Sequence, residues 1–259
     1  ATTEIYTLSL HDALPISAKT EIILFGSSKD LSNINIPSLS VANSEVLVSS
    51  KPIRNLGAIF DTRFDMVSQV SNMIKTASLH LRNVGRVHKI LTLETTKQVA
   101  QSLVISRLDY CNALLAGIPS NQIERLQRTQ NRAARLVSRT RLRDHITPVL
   151  ENLHWLPIKY RIDFKILLLV YKSFHGAAPT YICNLLMPYR PTRTLRSGDK
   201  GLLFQPRAYR HTYGDRAFSI YAPRIWNGLP QHIRLAPSVA LFKKQLKTHL
   251  FQLCYRHPQ

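Results

Sequence analysis

The sequence predicts a mostly α-helical fold with a small β part, which places it in the α+β class. Of its 259 residues, 44% are hydrophobic, and this is enough apolar material to bury a substantial core. After Asp61, apolar residues recur at intervals of three and four, which is the period of amphipathic helices. Most β-branched runs with strand character lie before Phe60, so we expect a small sheet followed by helices.

Three apolar, β-branched segments predict the strands of this opening sheet. They are residues 19–26, 46–48 and 53–60. Residues 27–44 are rich in Ser, Asn and Pro and predict a loop.

Two amphipathic helices are predicted between residues 67 and 110. One face of the first carries Val67, Val70, Ile74, Ala77, Leu81 and Val84. The second opens at Thr92, and one of its faces carries Val99, Leu103, Ser106 and Tyr110.

A third helix is predicted to begin near residues 119–121, where Ser120 and Asn121 suit an N-cap. One stripe of this helix is formed by Ile123, Leu126, Gln130, Ala133, Ala134 and Val137. The nearly opposite stripe is formed by Arg125, Arg128, Arg132, Arg135 and Arg139. Like charges on one face repel unless an anion lies across them, so the arginines predict either a solvated face or a phosphate-binding helix that presents them outward.

The last part of the chain combines apolar and basic segments. Residues 158–174 are apolar on most sides and predict a core helix, and residues 181–187 predict a short one. Residues 190–224 mix basic and aromatic residues and predict loops with a hairpin at 201–226, which either binds phosphates and bases or forms an edge of the core. The basic candidates there are Arg190, Arg193, Arg196, Arg207 and Arg210.

A final helix is predicted over residues 238–253. Its buried face should carry Leu241, Phe242, Leu246, Leu250 and Leu253. Its exposed face should carry Lys243, Lys244 and Lys247.

The charge balance points to a polyanionic partner. The chain has 35 Lys and Arg against 15 Asp and Glu, a net charge of +20, which favours binding to the backbone of RNA or DNA. A membrane is not expected as a partner, because the longest apolar run, residues 166–171, is too short to span one.

Cysteine, histidine and aspartate spacing excludes several kinds of site. Cys111, Cys183 and Cys254 are far apart, so we expect no zinc site and no disulfide partner, and an intracellular location in the cytoplasm or nucleus. The aspartates are isolated and the histidine spacings do not suit one helix face, so no metal site and no cofactor are predicted.

Residues 1–16 are predicted to be foreign to the protein. Their sequence, ATTEIYTLSLHDALPI, is the translation of a widely used sequencing-library adapter. We expect this segment to be an artefact that contributes nothing to the core. The remaining chain would then be a fragment whose upstream sequence is missing.

Six strings, in order, resemble the downstream part of the reverse transcriptase of LINE-type (non-LTR) retrotransposons, over about residues 18–253. They are SRLDYCN (106–112), QNRAAR (130–135), RDHITP (143–148), HWLP (154–157), YGDRAF (213–218) and PRIWN (223–227). The resemblance implies the end of a palm at 17–60, a helical thumb at 61–140 and a basic C-terminal domain at 141–259.

The resemblance also implies roles for individual residues. Lys19, in Lys19-Thr20-Glu21, is similar to a family lysine that assists nucleotide addition as a proton donor. Asn55, Leu56 and Gly57 resemble the motif that helps to hold the primer end. The thumb is expected to grip a template–primer duplex through its backbone.

The family's catalytic aspartates would lie upstream of Lys19, and the chain has no Asp-Asp pair. The intact parent would be an RNA-directed DNA polymerase that uses magnesium, whereas this fragment is expected to need no cofactor and to be no enzyme. The leading hypothesis is therefore a truncated reverse transcriptase with residual template–primer binding. The alternative is an autonomous basic domain, derived from such an element, that binds nucleic acid or protein.

Overall fold

The computed structural model describes residues 20–34, 36–41, 44–190, 201–208 and 213–255. Helices make up 59% of the structure and the strands form two small sheets, which confirms the mostly helical α+β class. The chain divides into two compact units, one ending at Gln69 and the other beginning at Val70. The predicted artefact at 1–16 and the candidate proton donor Lys19 lie outside the described residues.

The first unit contains a three-stranded sheet. Its strands are β1 (Ile22–Ile23), β2 (Ser38–Val41) and β3 (Ser44–Ser49), in the order β1-β3-β2. β1 runs parallel to β3, with Ile22 opposite Val48, and β2 runs antiparallel to it.

The prediction of a loop over residues 27–44 is wrong, because that stretch also contains β2 and the short helix α1 (Ser28–Asn33). The Ser27 hydroxyl accepts a hydrogen bond from the Asp30 amide at 3.2 Å and caps the helix. Polar, turn-prone residues therefore start a helix here.

Residues 53–60 form a hairpin and not the single predicted strand. β4 (Ile53–Asn55) and β5 (Ala58–Phe60) pair in antiparallel fashion. The turn residues Leu56 and Gly57 have φ values of 47° and 81°. Positive φ at both central residues is the backbone of a type I′ turn, one of the two turn types that favour two-residue hairpins.

The remaining elements are helical, and α2 begins in the first unit. They are α2 (Val67–Val87), α3 (Leu93–Ala100), α4 (Ser106–Asp109), α5 (Ser120–Ser138), α6 (Ile146–Asn152), α7 (Ile158–Phe174), α8 (Thr180–Cys183), α9 (Phe218–Asn227), α10 (Gln231–Arg234) and α11 (Val239–Tyr255).

A π-helical turn over Gln101–Ile105 joins α3 to α4 and changes which side of this segment is buried. The predicted start of the second helix is confirmed, and Thr92 is its N-cap, because the Thr92 hydroxyl accepts from the Thr95 amide at 3.2 Å. The face defined by Val99, Leu103, Ser106 and Tyr110 is nevertheless largely exposed. The buried side chains are Thr96, Ala100, Val104, Ile105 and Leu108.

Helix α5 has the two faces that its sequence predicts, but it starts differently. Pro119 occupies the N-cap position, without a side-chain cap bond, and Ser120 is already the first helical residue. The predicted stripe faces inward, with Ile123 half-buried and its other members buried. The polar residues Gln122 and Thr129 are buried with them.

Side-chain amides on α5 fix the beginning of α7. Gln130 is fully buried, and its Nε2 donates to the Leu156 carbonyl at 2.9 Å. Gln127 Oε1 accepts from the Ile158 amide at 2.9 Å, and Gln127 Nε2 donates to Gln130 Oε1 at 2.9 Å. These bonds satisfy buried polar groups that would otherwise lose their water partners.

Helix α7 is the predicted core helix, and it packs against α5, α9 and α11. Its Tyr171 ring stacks on Phe242 with centroids 4.2 Å apart, and the Phe242 and Trp226 centroids are 5.9 Å apart. The Tyr171 hydroxyl donates to the Ala236 carbonyl at 2.6 Å, so this buried hydroxyl has its partner.

The hairpin predicted at 201–226 is wrong in its second half, which forms α9 with Pro223 inside the helix. The first half makes one antiparallel bridge, between Pro188 and Leu203. α9 buries Tyr221 and Trp226, so its aromatic residues belong to the core. The alternation of aromatic and basic residues predicted a strand, but an amphipathic helix can show the same alternation over a short stretch.

The last helix and the cysteines differ from prediction in detail. Leu241 and Leu253 are each 37% exposed, although the core face of α11 is otherwise confirmed. The three cysteines are half-buried free thiols. Burial raises the pKa of the Cys254 thiol to about 11, which keeps it protonated at neutral pH.

A buried carboxyl group links α7 to α9. Asp163 Oδ1 accepts a hydrogen bond of 2.7 Å from the Tyr221 hydroxyl. Burial raises the pKa of Asp163, while the Tyr221 bond and the charges of Lys159 and Arg224 oppose that shift. Ionisation of the Asp163 carboxyl group is therefore less favourable in the folded protein than in the unfolded chain.

We predict that Asp163→Asn becomes relatively more stable as the pH rises. A folded-state pKa above the unfolded value of about 3.9 gives stability that is present below that pH and is lost as pH rises through the folded pKa. The asparagine side chain keeps the acceptor oxygen and cannot ionise. Urea denaturation of both proteins between about pH 4 and pH 7 measures the difference, which should grow in favour of the variant. A difference that stays constant would contradict the account.

Candidate nucleic-acid interface

Helices α2 and α5 lie side by side and run in the same direction. Near their beginnings, Arg125 Nη2 donates to Ser71 Oγ at 3.0 Å. Further along, a Cβ placed on Gly85 would lie 3.7 Å from Leu136 Cδ1. At their ends, Arg139 Nη2 donates to the His88 carbonyl at 3.1 Å. The C-terminal ends of both helices therefore meet.

An open groove of about 420 Å³ lies where these ends meet, and we call it the basic groove. Its cationic lining residues are Lys89, Arg132, Arg135 and Arg139, joined by His88. Its other lining residues are Leu136, Thr140 and Leu142, so within the described part of the chain its walls carry no carboxylate. A concave surface of one sign of charge focuses the field and attracts anions.

Arg128 and Arg132 are the two members of the predicted arginine stripe that are freely presented. Both are exposed, and neither makes a hydrogen bond or an ion pair with any described residue. They are four residues apart on α5, so they share one face about one turn apart. This part of the stripe has the geometry that a phosphate-binding face requires.

The other three arginines do not stand free, as the sequence led us to expect. Arg125 is half-buried, and its Nη1 also donates to Gln122 Oε1 at 2.7 Å. Arg135 donates to the carbonyls of Arg141 and Asp144, at 3.3 and 3.0 Å. The reason is local: helix α5 has neighbours with unpaired acceptors within reach of these long side chains.

Arg139 differs further, because it follows the helix as its C-cap with a left-handed φ of 55°. Its Nη2 reaches the carbonyls of His88 and Leu91, at 3.1 and 3.2 Å. It thereby satisfies acceptors at the end of α2 and places a positive charge near the negative end of that helix.

Two ion pairs between described residues are those of Arg63 with Asp65 and of Arg161 with Asp109. The second is bidentate, with Arg161 Nε 2.8 Å from Asp109 Oδ1, and it joins the SRLDYCN segment to α7. Because Lys and Arg outnumber Asp and Glu by 35 to 15, the excess positive charge is left for solvent ions or for a partner.

The remaining candidates do not join the basic groove. Arg190 and Arg207 are exposed and do not line it. Arg193, Arg196 and Arg210 lie outside the described residues. Asn55, Leu56 and Gly57 form the β4–β5 turn in the first unit, and Leu56 is 86% exposed.

Sequence reasoning missed His88, Lys89 and Leu142 as groove residues. His88 and Arg139 are 51 positions apart, so no local pattern connects them. The Arg86-Val87-His88-Lys89 run at the end of α2 was the available signal, because basic residues at the end of one helix can add to a basic face nearby.

The described residues offer no candidate metal site and no candidate membrane span. Within the described ranges, no three His, Cys, Asp or Glu side chains are close enough together to hold a metal ion. Among the described helices, none combines the length and the apolar character needed to cross a membrane.

No family model, curated protein or solved structure matches the chain.

We predict that Arg139→Gln destabilises the second unit more than Arg128→Gln does. The first change removes two hydrogen bonds to the carbonyls of residues 88 and 91, while Arg128 makes no hydrogen bond with a described residue. The expected loss is about 1–2 kcal/mol for Arg139→Gln and close to zero for the control. Urea denaturation followed by circular dichroism gives both values. Equal stability of the two variants would show that Arg139 does not hold the end of α2.

Proposed function

We propose that this chain is a part of a LINE-type reverse transcriptase, comprising the end of the palm, the thumb and the C-terminal domain. Its retained activity would be binding of the RNA or DNA backbone, as in a template–primer duplex, in the cytoplasm or nucleus. The six ordered strings support the family assignment. The basic groove, with Arg132 in its lining and Arg128 one helical turn away, carries the binding function.

The cations of the groove suit the phosphates of a nucleic-acid backbone. Arg132 and Arg139 offer planar guanidinium groups, and Lys89 offers a point charge, so successive phosphates can each meet a cation. Such contacts position a nucleic acid without reading its sequence. Binding should therefore tolerate any sequence and weaken steeply as salt is added.

We predict that replacing Lys89, Arg128 and Arg132 together by Gln weakens binding to unrelated sequences about equally. Gln retains helix propensity and removes the charge. On B-form DNA, the slope of log affinity against log salt should fall by roughly 0.9 for each phosphate that the variant no longer neutralises. Fluorescence anisotropy at several salt concentrations measures both quantities.

The matched control removes three exposed lysines from α11, as Lys243→Gln, Lys244→Gln and Lys247→Gln. It changes the net charge by the same amount, away from the basic groove. If both triple variants showed the same decrease in affinity and slope, the binding would reflect net charge alone, and the assignment of the groove would be wrong.

The same proposal predicts no DNA synthesis by these 259 residues. Phosphoryl transfer with two metals needs paired carboxylates, and the chain contains no Asp-Asp pair. Primer extension with magnesium or manganese should stay at background. Template-dependent extension by the purified chain, abolished when one of its aspartates is replaced, would contradict this.

A second candidate is the autonomous interaction domain derived from such an element. The observation that favours it is the compact second unit, which has its own core around Tyr171, Trp226 and Phe242. A transcript that begins near Ser17 would support this candidate. An uninterrupted upstream reading frame with the Asp-Asp motif would support the first.

A further inference from the structure

The lining of the basic groove is not wholly polar, because it includes a leucine whose side chain is exposed to solvent. Leu142 is 84% exposed, and most of the side chains that line the groove with it are basic. Leu136 adds a second apolar side chain to the lining. An exposed aliphatic group within a charged site gains free energy only when something covers it.

The loop that carries Leu142 is held in a defined turn. The Asp144 amide donates to the Arg141 carbonyl at 3.3 Å, and the Arg141 amide donates to Asp144 Oδ2 at 3.0 Å. The Arg135 guanidinium donates to the carbonyls of both residues from the helix side. Leu142 lies inside this turn, so its exposure is built into the backbone and is present before any ligand binds.

The groove is large enough for a nucleotide. Its volume of about 420 Å³ is in the range of a small-molecule pocket and accommodates one nucleotide unit. The cations of the groove can bind a phosphate. A base that has left its stack exposes an apolar face, which an aliphatic side chain can contact.

We propose that the basic groove binds one unstacked nucleotide of a single strand, with its phosphate on Arg132, Arg139 and Lys89 and its base against Leu142. This inference rests on the proposed function and specifies its ligand. An acidic peptide could satisfy the cations, but its carboxylates bring no flat apolar group for Leu142 to contact.

The test compares Leu142→Ala with Ile90→Ala. Ile90 is 87% exposed and lies outside the groove lining, so it is the matched control. Binding to a labelled single strand and to a blunt duplex of the same sequence is measured by anisotropy. Leu142→Ala should weaken binding to the single strand about fivefold, with an unchanged salt slope and an unchanged affinity for the duplex. Ile90→Ala should leave both affinities unchanged.

Two further arms make the result specific. A strand whose bases are replaced by abasic residues should bind the wild type about as weakly as the normal strand binds Leu142→Ala. Poly-glutamate of equal charge should compete less well than the oligonucleotide. Equal effects of the two substitutions, full affinity for the abasic strand, or equal competition by poly-glutamate would each overturn the inference.

The outcome separates this inference from the proposed function. If the Lys89, Arg128 and Arg132 variant loses binding while Leu142→Ala does not, phosphate binding stands and the unstacked nucleotide is rejected. If the charge variant binds as the wild type does, the proposed function itself fails.

Discussion

Helix α5 can bury only one of its two faces, and the arrangement of the second unit depends on that division. Its inward face carries the apolar stripe together with the Gln127 and Gln130 amides, which bond to the backbone at the start of α7. Gln130 is fully buried, and the bond from its Nε2 to the Leu156 carbonyl satisfies both the amide donor and the carbonyl acceptor. The opposite face is left with arginines, which a core cannot accept without partners.

The placement of α7 then positions the C-terminal helices. Asp163 on α7 bonds to Tyr221 on α9, and Tyr171 on α7 bonds to the carbonyl of Ala236, which precedes α11. Several of the strings that resemble the reverse transcriptase family lie at such contacts. In one, Arg216 Nε donates to the Ala116 carbonyl at 3.3 Å, beside Gly117, whose positive φ of 65° and close approach to Arg216 favour a residue without a Cβ. These residues hold elements together, while the proposed ligand site uses side chains that the fold leaves outside.

The sequence was most informative where the period of one element decided the structure. The bounds of α7 follow from an almost continuously apolar segment, and the two faces of α5 follow from apolar spacing. The exposed face of the α3–α4 segment could not be predicted, because the π-turn at Gln101–Ile105 shifts the helical phase by an amount that spacing does not encode. The basic groove was only half predictable. The spacing on α5 predicted Arg132, whereas Lys89 and Leu142 reach the groove through tertiary contacts. Arg139 lines the groove as predicted, but its Nη2 also caps α2, which its spacing did not indicate.

The central claim is that nucleic acid lies in the basic groove and not over the charged surface as a whole. Lysine acetylation followed by mass spectrometry, with and without a bound oligonucleotide, tests it on the unaltered chain. Lys89 should be protected strongly when the strand is bound, while Lys243, Lys244 and Lys247 on α11 should react at their unbound rates. Uniform protection of all four lysines, or protection of the α11 lysines with Lys89 still reactive, would contradict the account.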